Sequence, residues 1–290
     1  MKLPPLDYAS PTSVAEAVHL LALHHGGAMI ISGGQSLMPL LAFRLASPSL
    51  LIDLRHVGGL DRIEIDDIGI TLGAKVRWRD IETDCRLTTA HPLLVQAVKH
   101  VAHYQIRNRG TVGGSLAHAD PAAELPTIAV VCDAEIVIVG PGNQRTMPAG
   151  AFFVGPLLTK LGQAEIIVAL RLPVWPRHRC YGFQEFARRS GDFALAGVAL
   201  FYDVDAAGRM LNPHIGAFGV DEVPLRLRDA ELVLSGERPG PAVFARAVEL
   251  AKAQVTPPTD IHADADYRRG LLGTMLGRAL QQAAGQSAAS

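Results

Sequence analysis

Apolar positions along the chain change period several times, and each change marks an element. Val14, Val18 and Leu21, with Leu20 beside them, repeat at helical spacing. Ser13 stands where an N-cap belongs, and Gly26-Gly27 where such a helix must stop. Ala28–Ile31 and Leu50–Leu54 are apolar runs of strand length, so the chain begins as a strand–helix–strand layout behind an extended, Pro-containing stretch at 1–10. From Leu60 the period drops towards two: Ile63, Ile65, Ile68, Ile70 and Leu72, broken by Asp66-Asp67, predict a β-hairpin. Asp61, Glu64, Asp66 and Asp67 then form its solvated acidic tip. Trp78-Arg79-Asp80 opens a helical stretch, and His91-Pro92 a longer one from Leu93 to about Tyr104. Asp120 as N-cap and Pro121 as first helical residue predict a further helix, which Pro126 either keeps short or makes start twice. Ala134–Val139 and Ile166–Leu172 are strands, the first ending in the turn Gly140-Pro141-Gly142-Asn143.

The basic, Pro-rich stretch Pro173–Arg179 has the composition of a linker, and a new unit follows it. Tyr181–Ala187, Ala196–Asp203 and His214–Phe218 predict strands joined by turns at Ser190-Gly191-Asp192 and Asp205-Ala206-Ala207-Gly208. Helices near Pro241–Gln254 and Tyr267–Ala284 close the chain, kept apart by Thr256-Pro257-Pro258-Thr259-Asp260. Leu272, Leu276, Ala279 and Leu280 share one face of the last helix, which suits a domain core or a partner seam.

Composition narrows the class. A chain of 290 residues, 49% hydrophobic and 19% charged, suits a globular protein of two or three domains. Lys+Arg 27 against Asp+Glu 28 leaves a net charge of −1, which argues against charge-driven binding of nucleic acid or an anionic membrane. Cys85, Cys132 and Cys180 are far apart and include no CxxC, so an iron–sulfur or zinc ligand set is not expected in this chain, and free thiols suit a reducing compartment. Met1-Lys2-Leu3-Pro4-Pro5 lacks a signal-peptide pattern, and the longest apolar runs are too short to span a bilayer; a cytoplasmic location is expected.

Two stretches carry candidate chemistry. In Ile30-Ile31-Ser32-Gly33-Gly34-Gln35-Ser36-Leu37-Met38-Pro39, and again in Arg107-Asn108-Arg109-Gly110-Thr111-Val112-Gly113-Gly114-Ser115-Leu116-Ala117-His118-Ala119-Asp120-Pro121, a glycine pair sits between hydroxyl residues. Paired glycines permit positive φ and close approach of the backbone, and successive N–H groups in such turns converge on anions. Each loop alone is also an ordinary tight turn. Neither matches the Rossmann or Walker patterns, so any phosphate would be held by backbone N–H groups and by the hydroxyls of Ser32, Ser36, Thr111 and Ser115. Arg107 and Arg109 could neutralise that phosphate or pair with acids. His91, His100, His103 and His118 cluster near the second loop, but no acidic or cysteine partner has metal-ligand spacing.

The same residues carry a family resemblance. Ser32-Gly33-Gly34-Gln35-Ser36-Leu37-Met38-Pro39 resembles the A-G-G-[HQ]-S-L-[LIM]-P signature of the FAD-binding medium subunit of molybdenum hydroxylases of the carbon monoxide dehydrogenase and xanthine dehydrogenase type. Ile106 to Pro126 is similar to that family's second signature. Phe186-Ala187-Arg188-Arg189-Ser190-Gly191-Asp192-Phe193-Ala194 is similar to its R-x-G-D-[FWY]-A segment, and Ile261-His262-Ala263-Asp264-Ala265-Asp266-Tyr267-Arg268-Arg269 to its D-I-H-A segment. The four occur in family order from the first strand to the last helix.

The resemblance implies an α+β fold in which FAD lies extended between residues 1–57, a small α/β piece, and 58–176, a mixed and mainly antiparallel sheet with helices. A sheet-and-helix domain at 177–290 follows. It implies that Ser32, Gly33, Gly34, Gln35, Ser36 and Leu37, with Thr111, Val112, Gly113, Gly114 and Ser115, hold the FAD phosphates and ribityl chain. Ser32 departs from the usual Ala. Glu124 matches an acidic position at the flavin's sugar–ribityl portion, Leu161 an apolar residue near the adenine or the ring, and Asp192-Phe193 a loop at the isoalloxazine edge. His118 lies inside the second signature as a flavin contact or a structural hydrogen-bonding group, and Gln184 stands where some xanthine-oxidising relatives have a lysine.

The implied role is electron relay from iron–sulfur clusters through FAD to an acceptor such as a quinone, NAD or oxygen. The cofactor carries that chemistry, and a peptide N–H near N5 or N1–C2=O would stabilise the reduced anion; no catalytic acid or base and no metal ligand is assigned here. Molybdenum cofactor and [2Fe-2S] clusters would sit on a large and a small partner chain, in a dimer of heterotrimers. The competing readings are a free-standing flavin oxidase, which needs a roomy pocket and a base, and a scaffold that has lost its flavin, which would disfigure a glycine loop.

Overall fold

The structure, a computed structural model, describes residues 3–287; Met1 and Lys2 of the expected extended start lie outside the described residues. The first part is β1 (Asp7–Ala9), α1 (Val14–Leu23), β2 (Ala28–Ile31), α2 (Leu37–Ala42) and β3 (Leu50–Asp53). Ser13 caps α1, its Oγ accepting from the Glu16 N–H at 3.2 Å, and His25 and Gly26 beyond the helix take positive φ. The strands form a parallel sheet in the order β1-β3-β2, with β3 buried at its centre. Ala17, Val18 and Leu21 of α1 pack on it, so the helix buries its apolar stripe on the sheet face.

The second part holds β4 (Ile63–Asp66), β5 (Gly69–Gly73), α3 (Trp78–Thr83), α4 (Cys85–Ala90), α5 (Pro92–Val98), α6 (Tyr104–Arg107), α7 (Val112–His118), α8 (Glu124–Val131), β6 (Glu135–Gly140), β7 (Asn143–Pro148), β8 (Phe153–Gly155), β9 (Leu158–Thr159) and β10 (Ile166–Pro173). An antiparallel sheet runs β4-β5-β10-β6-β7, and β8 and β9 pair separately. At the tip of the acidic hairpin, Asp66 accepts from the N–H groups of Ile68 and Gly69.

The third part is β11 (Cys180–Phe186), β12 (Ala196–Val204), β13 (Met210–Phe218), β14 (Leu225–Arg226), α9 (Arg228–Leu234), α10 (Pro241–Gln254) and α11 (Ala265–Ser287), its strands in sequential antiparallel order. Its sheet is covered on both faces. Val198, Leu200 and Tyr202 of β12 meet the core formed with α9–α11, while Ala199 and Phe201 belong to the central core with α5, α7 and α8. Double burial explains why Ala196–Phe201 is apolar without a break. The α+β class is therefore as expected.

Three expectations are corrected. The helix expected from Leu93 to Tyr104 is two helices: α5 stops at Val98, Ala102 takes φ 41°, and His103 is extended before α6. Asp120 does not cap a helix at Pro121; its carboxylate accepts from the Ala122 N–H and closes a turn, and α8 starts at Glu124 behind Ala123. Pro173–Arg179 is not a loose connection. Trp175 is buried, 4.5 Å from the His91 ring and 5.3 Å from Phe201, and the Arg179 guanidinium lies 4.3 Å from the Phe201 ring centre. Helices α2 and α9 and strand β7 carry no strong period and were not expected; Pro39 is tolerated in the first turn of α2.

The segment Ile261 to Arg269 acquires a structural role through Arg268. Its Nη1 donates to the carbonyls of Leu195 and Gly219, both at 2.9 Å, and its Nη2 to Asp260 at 2.8 Å. The side chain is 5% exposed, so these bonds replace water and tie the start of α11 to both ends of the β12–β13 hairpin. Replacing Arg268 with Ala leaves two buried carbonyls without their donor and removes the ion-pair partner of Asp260, which keeps its bonds from the His262 and Ala263 N–H groups. The expected loss is about 2–4 kcal/mol in denaturant unfolding, with Arg268→Lys recovering part of it; a loss under about 0.5 kcal/mol would contradict this role.

Candidate functional site: two joined glycine loops and a buried carboxyl pair

The first loop leaves β2 at its carboxyl end and enters α2, the usual ligand position of a parallel sheet. The second connects α6 to α7. It is anchored from below: the Trp78 N–H donates to the Gly110 carbonyl, Val112 N–H to Val76, and Gly113 N–H to Ala74. The fold brings the two together. Thr111 Oγ1 donates to Ser32 Oγ at 3.1 Å, and a Cβ built on Gly33 would lie 2.1 Å from the Arg109 carbonyl oxygen. Only glycine permits that backbone-on-backbone approach, and Gly34 beside it takes φ +74°.

The loops differ in what they offer. Among the described residues, none of the backbone N–H groups of Gly33, Gly34, Gln35, Ser36 and Leu37 donates to a protein acceptor. They form a run of donors around a positive-φ glycine, an arrangement that suits an anion. The second loop uses its amides internally at Val112 and Gly113, and Thr111 Oγ1 accepts from the Gly114 N–H at 3.3 Å. It presents the exposed Gly114 and the half-buried Ser115 instead. The run of donors and the adjoining hydroxyls fit the pyrophosphate of a dinucleotide.

Beyond the second loop the site becomes acidic. His118 ends α7, with Nε2 4.0 Å from Asp120. Glu124, at the start of α8, is partly buried; desolvation and the Asp120 charge push its carboxyl up to about 7. Glu185 on β11 is 5% exposed, its Oε2 has no hydrogen-bond partner among the described residues, and burial with the Glu124 charge pushes it up to about 9. His100 Nδ1 lies 3.9 Å from that oxygen, beyond hydrogen-bond reach. Both groups line a cavity of about 500 Å³ between the α5–α6 segment and the turn at 187–191. That turn is pressed onto the segment, since a Cβ on Gly191 would fall 2.3 Å from the His103 ring.

Among the other sequence candidates, Leu161 packs at the edge of the central core. Asp192 and Phe193 stand on the outer side of the turn, Phe193 70% exposed. Gln184 donates to Gln282 of α11 at 3.1 Å. Arg107 is internal, donating to the carbonyls of Val101 and Ala102 and to Glu82, whereas Arg109 supplies the backbone against which Gly33 rests. His91 caps α5, accepting from Leu94 N–H, and burial pushes it down to about 3. Glu185 carries no motif. Its one signal was the alternation of β11, which sets it on the same face as the buried Phe183 and so places a carboxyl where an apolar residue is expected.

Fold and site together fit a flavoprotein that lacks a Rossmann motif and brings two glycine loops into contact. Residues 4–175 match the family described as the FAD binding domain in molybdopterin dehydrogenase, and residues 181–283 the CO dehydrogenase flavoprotein C-terminal domain. The chain is 39% identical to the nicotine 6-hydroxylase medium subunit of Paenarthrobacter nicotinovorans over 98% of its length and 99% of that relative. It is 32% identical to the carbon monoxide dehydrogenase medium chain of Hydrogenophaga pseudoflava over 97% of each. The solved carbon monoxide dehydrogenase from Hydrogenophaga pseudoflava, in a form lacking the Mo-pyranopterin moiety, superposes with a TM-score of 0.96 at 33% identity, covering 99% of both chains. The chain belongs to the FAD-binding medium subunits of the molybdenum hydroxylase family, and its cofactor is FAD.

Two measurements test this geometry. Gly33→Ala drives a methyl into the Arg109 carbonyl and so forces the loops apart; the purified chain should lose most of its FAD absorbance, while Gly58→Ala, whose added methyl meets nothing within 4 Å, keeps it. For Glu185 the folded chain holds a proton that the unfolded chain releases near 4.5, so stability is lost as pH rises from there towards 9. In cofactor-free chain, Glu185→Gln should therefore match the wild type at pH 4.5 and exceed it at pH 8 by at least about 1 kcal/mol in urea unfolding.

Proposed function

We propose that this chain is the electron-relaying subunit of a three-subunit molybdenum hydroxylase, taking electrons from iron–sulfur clusters and passing them through FAD to an external acceptor. The supporting observation is the joined pair of loops, with one unspent run of amides and two adjoining hydroxyls, at the place the family signatures occupy. In this reading the N–H groups of residues 33–37 hold the pyrophosphate. Ser32, Thr111 and Ser115 add hydroxyls, and Gln35, whose Nε2 donates to the Gly33 carbonyl at 3.0 Å, braces the loop. Val112, Gly113 and Gly114 shape the opposing wall. His118 and Glu124 face the sugar–ribityl portion, Leu161 the adenine or the ring, and Asp192 and Phe193 the ring edge. Bound FAD supplies the exchange between one- and two-electron chemistry.

The remaining cofactors belong to partners. Three cysteines cannot ligate an iron–sulfur cluster, which takes four, and two of them are buried apart from each other in different cores. We assign the clusters to a small partner chain and the molybdenum cofactor to a large one, in a dimer of heterotrimers located in the cytoplasm. Among the described residues no helix is long and apolar enough to cross a membrane. Substrate choice belongs to the large chain: full-length relatives of this subunit carry names as different as nicotine hydroxylase and carbon monoxide dehydrogenase.

Anaerobic mixing tests the relay. The FAD-loaded chain alone should not bleach when the complex's own substrate is added, and should bleach when the reduced iron–sulfur chain is added. Bleaching by the substrate alone would establish the free-standing oxidase instead.

A further inference from the structure

We propose that Glu185 is a proton-relay residue, passing its carboxyl proton inward to the cofactor site and reloading from the His100-lined cavity. The inference rests on FAD occupying the joined loops. Its geometry is that of a relay with an inner and an outer end. Glu185 is nearly sealed from water and one carboxyl oxygen is buried without a hydrogen-bond partner, while the residue borders a cavity of about 500 Å³. On the inner side it shares the face of β11 on which Phe183 packs into the core built with α5, α7 and α8, and the charge of Glu124, the acidic residue of the second signature, acts on it from that side. On the outer side His100 Nδ1 stands 3.9 Å away on a side chain 41% exposed, so a small swing of the imidazole brings the two within hydrogen-bond reach.

The surroundings keep the acid neutral. A carboxyl this buried, raised further by the charge of Glu124 on α8, retains its proton at neutral pH. Lys99, His100, His103, Arg107 and Arg189 ring the cavity. Of the cations, Arg107 is engaged by Glu82 and two carbonyls, and no ion pair joins Lys99 or Arg189 to Glu185 among the described residues. Burial pushes His100 below its ordinary value, so at neutral pH it is an uncharged imidazole able to accept on one nitrogen and donate from the other.

The balance is simple. Two electrons reach the cofactor from the one-electron iron–sulfur donor of the complex, and at least one proton must follow. That proton leaves Glu185, and a proton from water in the cavity replaces it by way of His100. Only O–H and N–H bonds form and break, and Glu185 ends as it began.

The test follows protons rather than turnover. The FAD-loaded full chain is reduced anaerobically by a photoexcited deazaflavin with a sacrificial amine, at pH 8 in weak buffer. A pH indicator records uptake after the flash while flavin absorbance records the electrons. Glu185→Gln should slow uptake by at least about tenfold without changing the final number of protons. Glu185→Asp should stay within about threefold of wild type, and a small weak acid, which can enter the cavity, should restore most of the Gln variant's rate. If Glu185→Gln does not retain FAD, His100→Ala probes the outer end, with several-fold slower uptake restored by imidazole. Unchanged uptake, or slow uptake that neither acid nor imidazole restores, overturns the relay. Failure of the underlying reading looks different: the wild-type chain then takes up no FAD, visible before any light is applied.

Discussion

The site depends on one contact, the meeting of two backbones at Gly33 and Arg109 with the Ser32–Thr111 hydroxyl pair beside it. No side chain fits between them, so the two loops meet backbone to backbone through the absence of atoms rather than through an anchor. Everything beneath serves that approach. Trp78, Val76 and Ala74 hold the second loop from below by backbone bonds, and β2 and β3 fix the first loop in the sheet. A run of amides without protein acceptors is then left open on one loop only.

The third part of the chain completes the site at a distance. Its sheet is covered on one face by α5 and α8 and on the other by α11, so β11 turns Glu185 towards α5 and α8 while its other face packs on the last helix. Arg268 holds the Leu195 carbonyl at the end of the turn that Gly191 seats on His103. The fourth family segment therefore acts from the opposite side of the sheet, by fixing the loop rather than by lying in the site.

Much of this was legible from residue order. Ser13 capped its helix, the Ile63–Leu72 alternation folded as a hairpin, and Pro241–Gln254 formed the helix its spacing predicted. Those elements are fixed by neighbours within a few residues, where periodicity and caps act. Failures came where tertiary contact outweighs local preference. Leu93–Tyr104 has helical spacing but breaks at Ala102, where the chain must turn so that His103 meets Gly191. Pro173–Arg179 has a linker's composition, yet Trp175 is drawn into the core by His91, Phe201 and Arg179.

The amino-acid order by itself determined the two hydroxyl-edged glycine loops, their family signatures, and the lack of a ligand set for any iron–sulfur cluster in this chain. Those are properties of residue type and spacing. Only the tertiary structure decided that the loops touch, that one keeps its amides open while the other spends them on Val76 and Ala74, and that the charge of Glu124 acts on a buried Glu185 61 positions further along the chain. The reason is that a carboxyl's protonation and an amide's availability are set by what the fold brings alongside them, and here those neighbours come from distant parts of the chain.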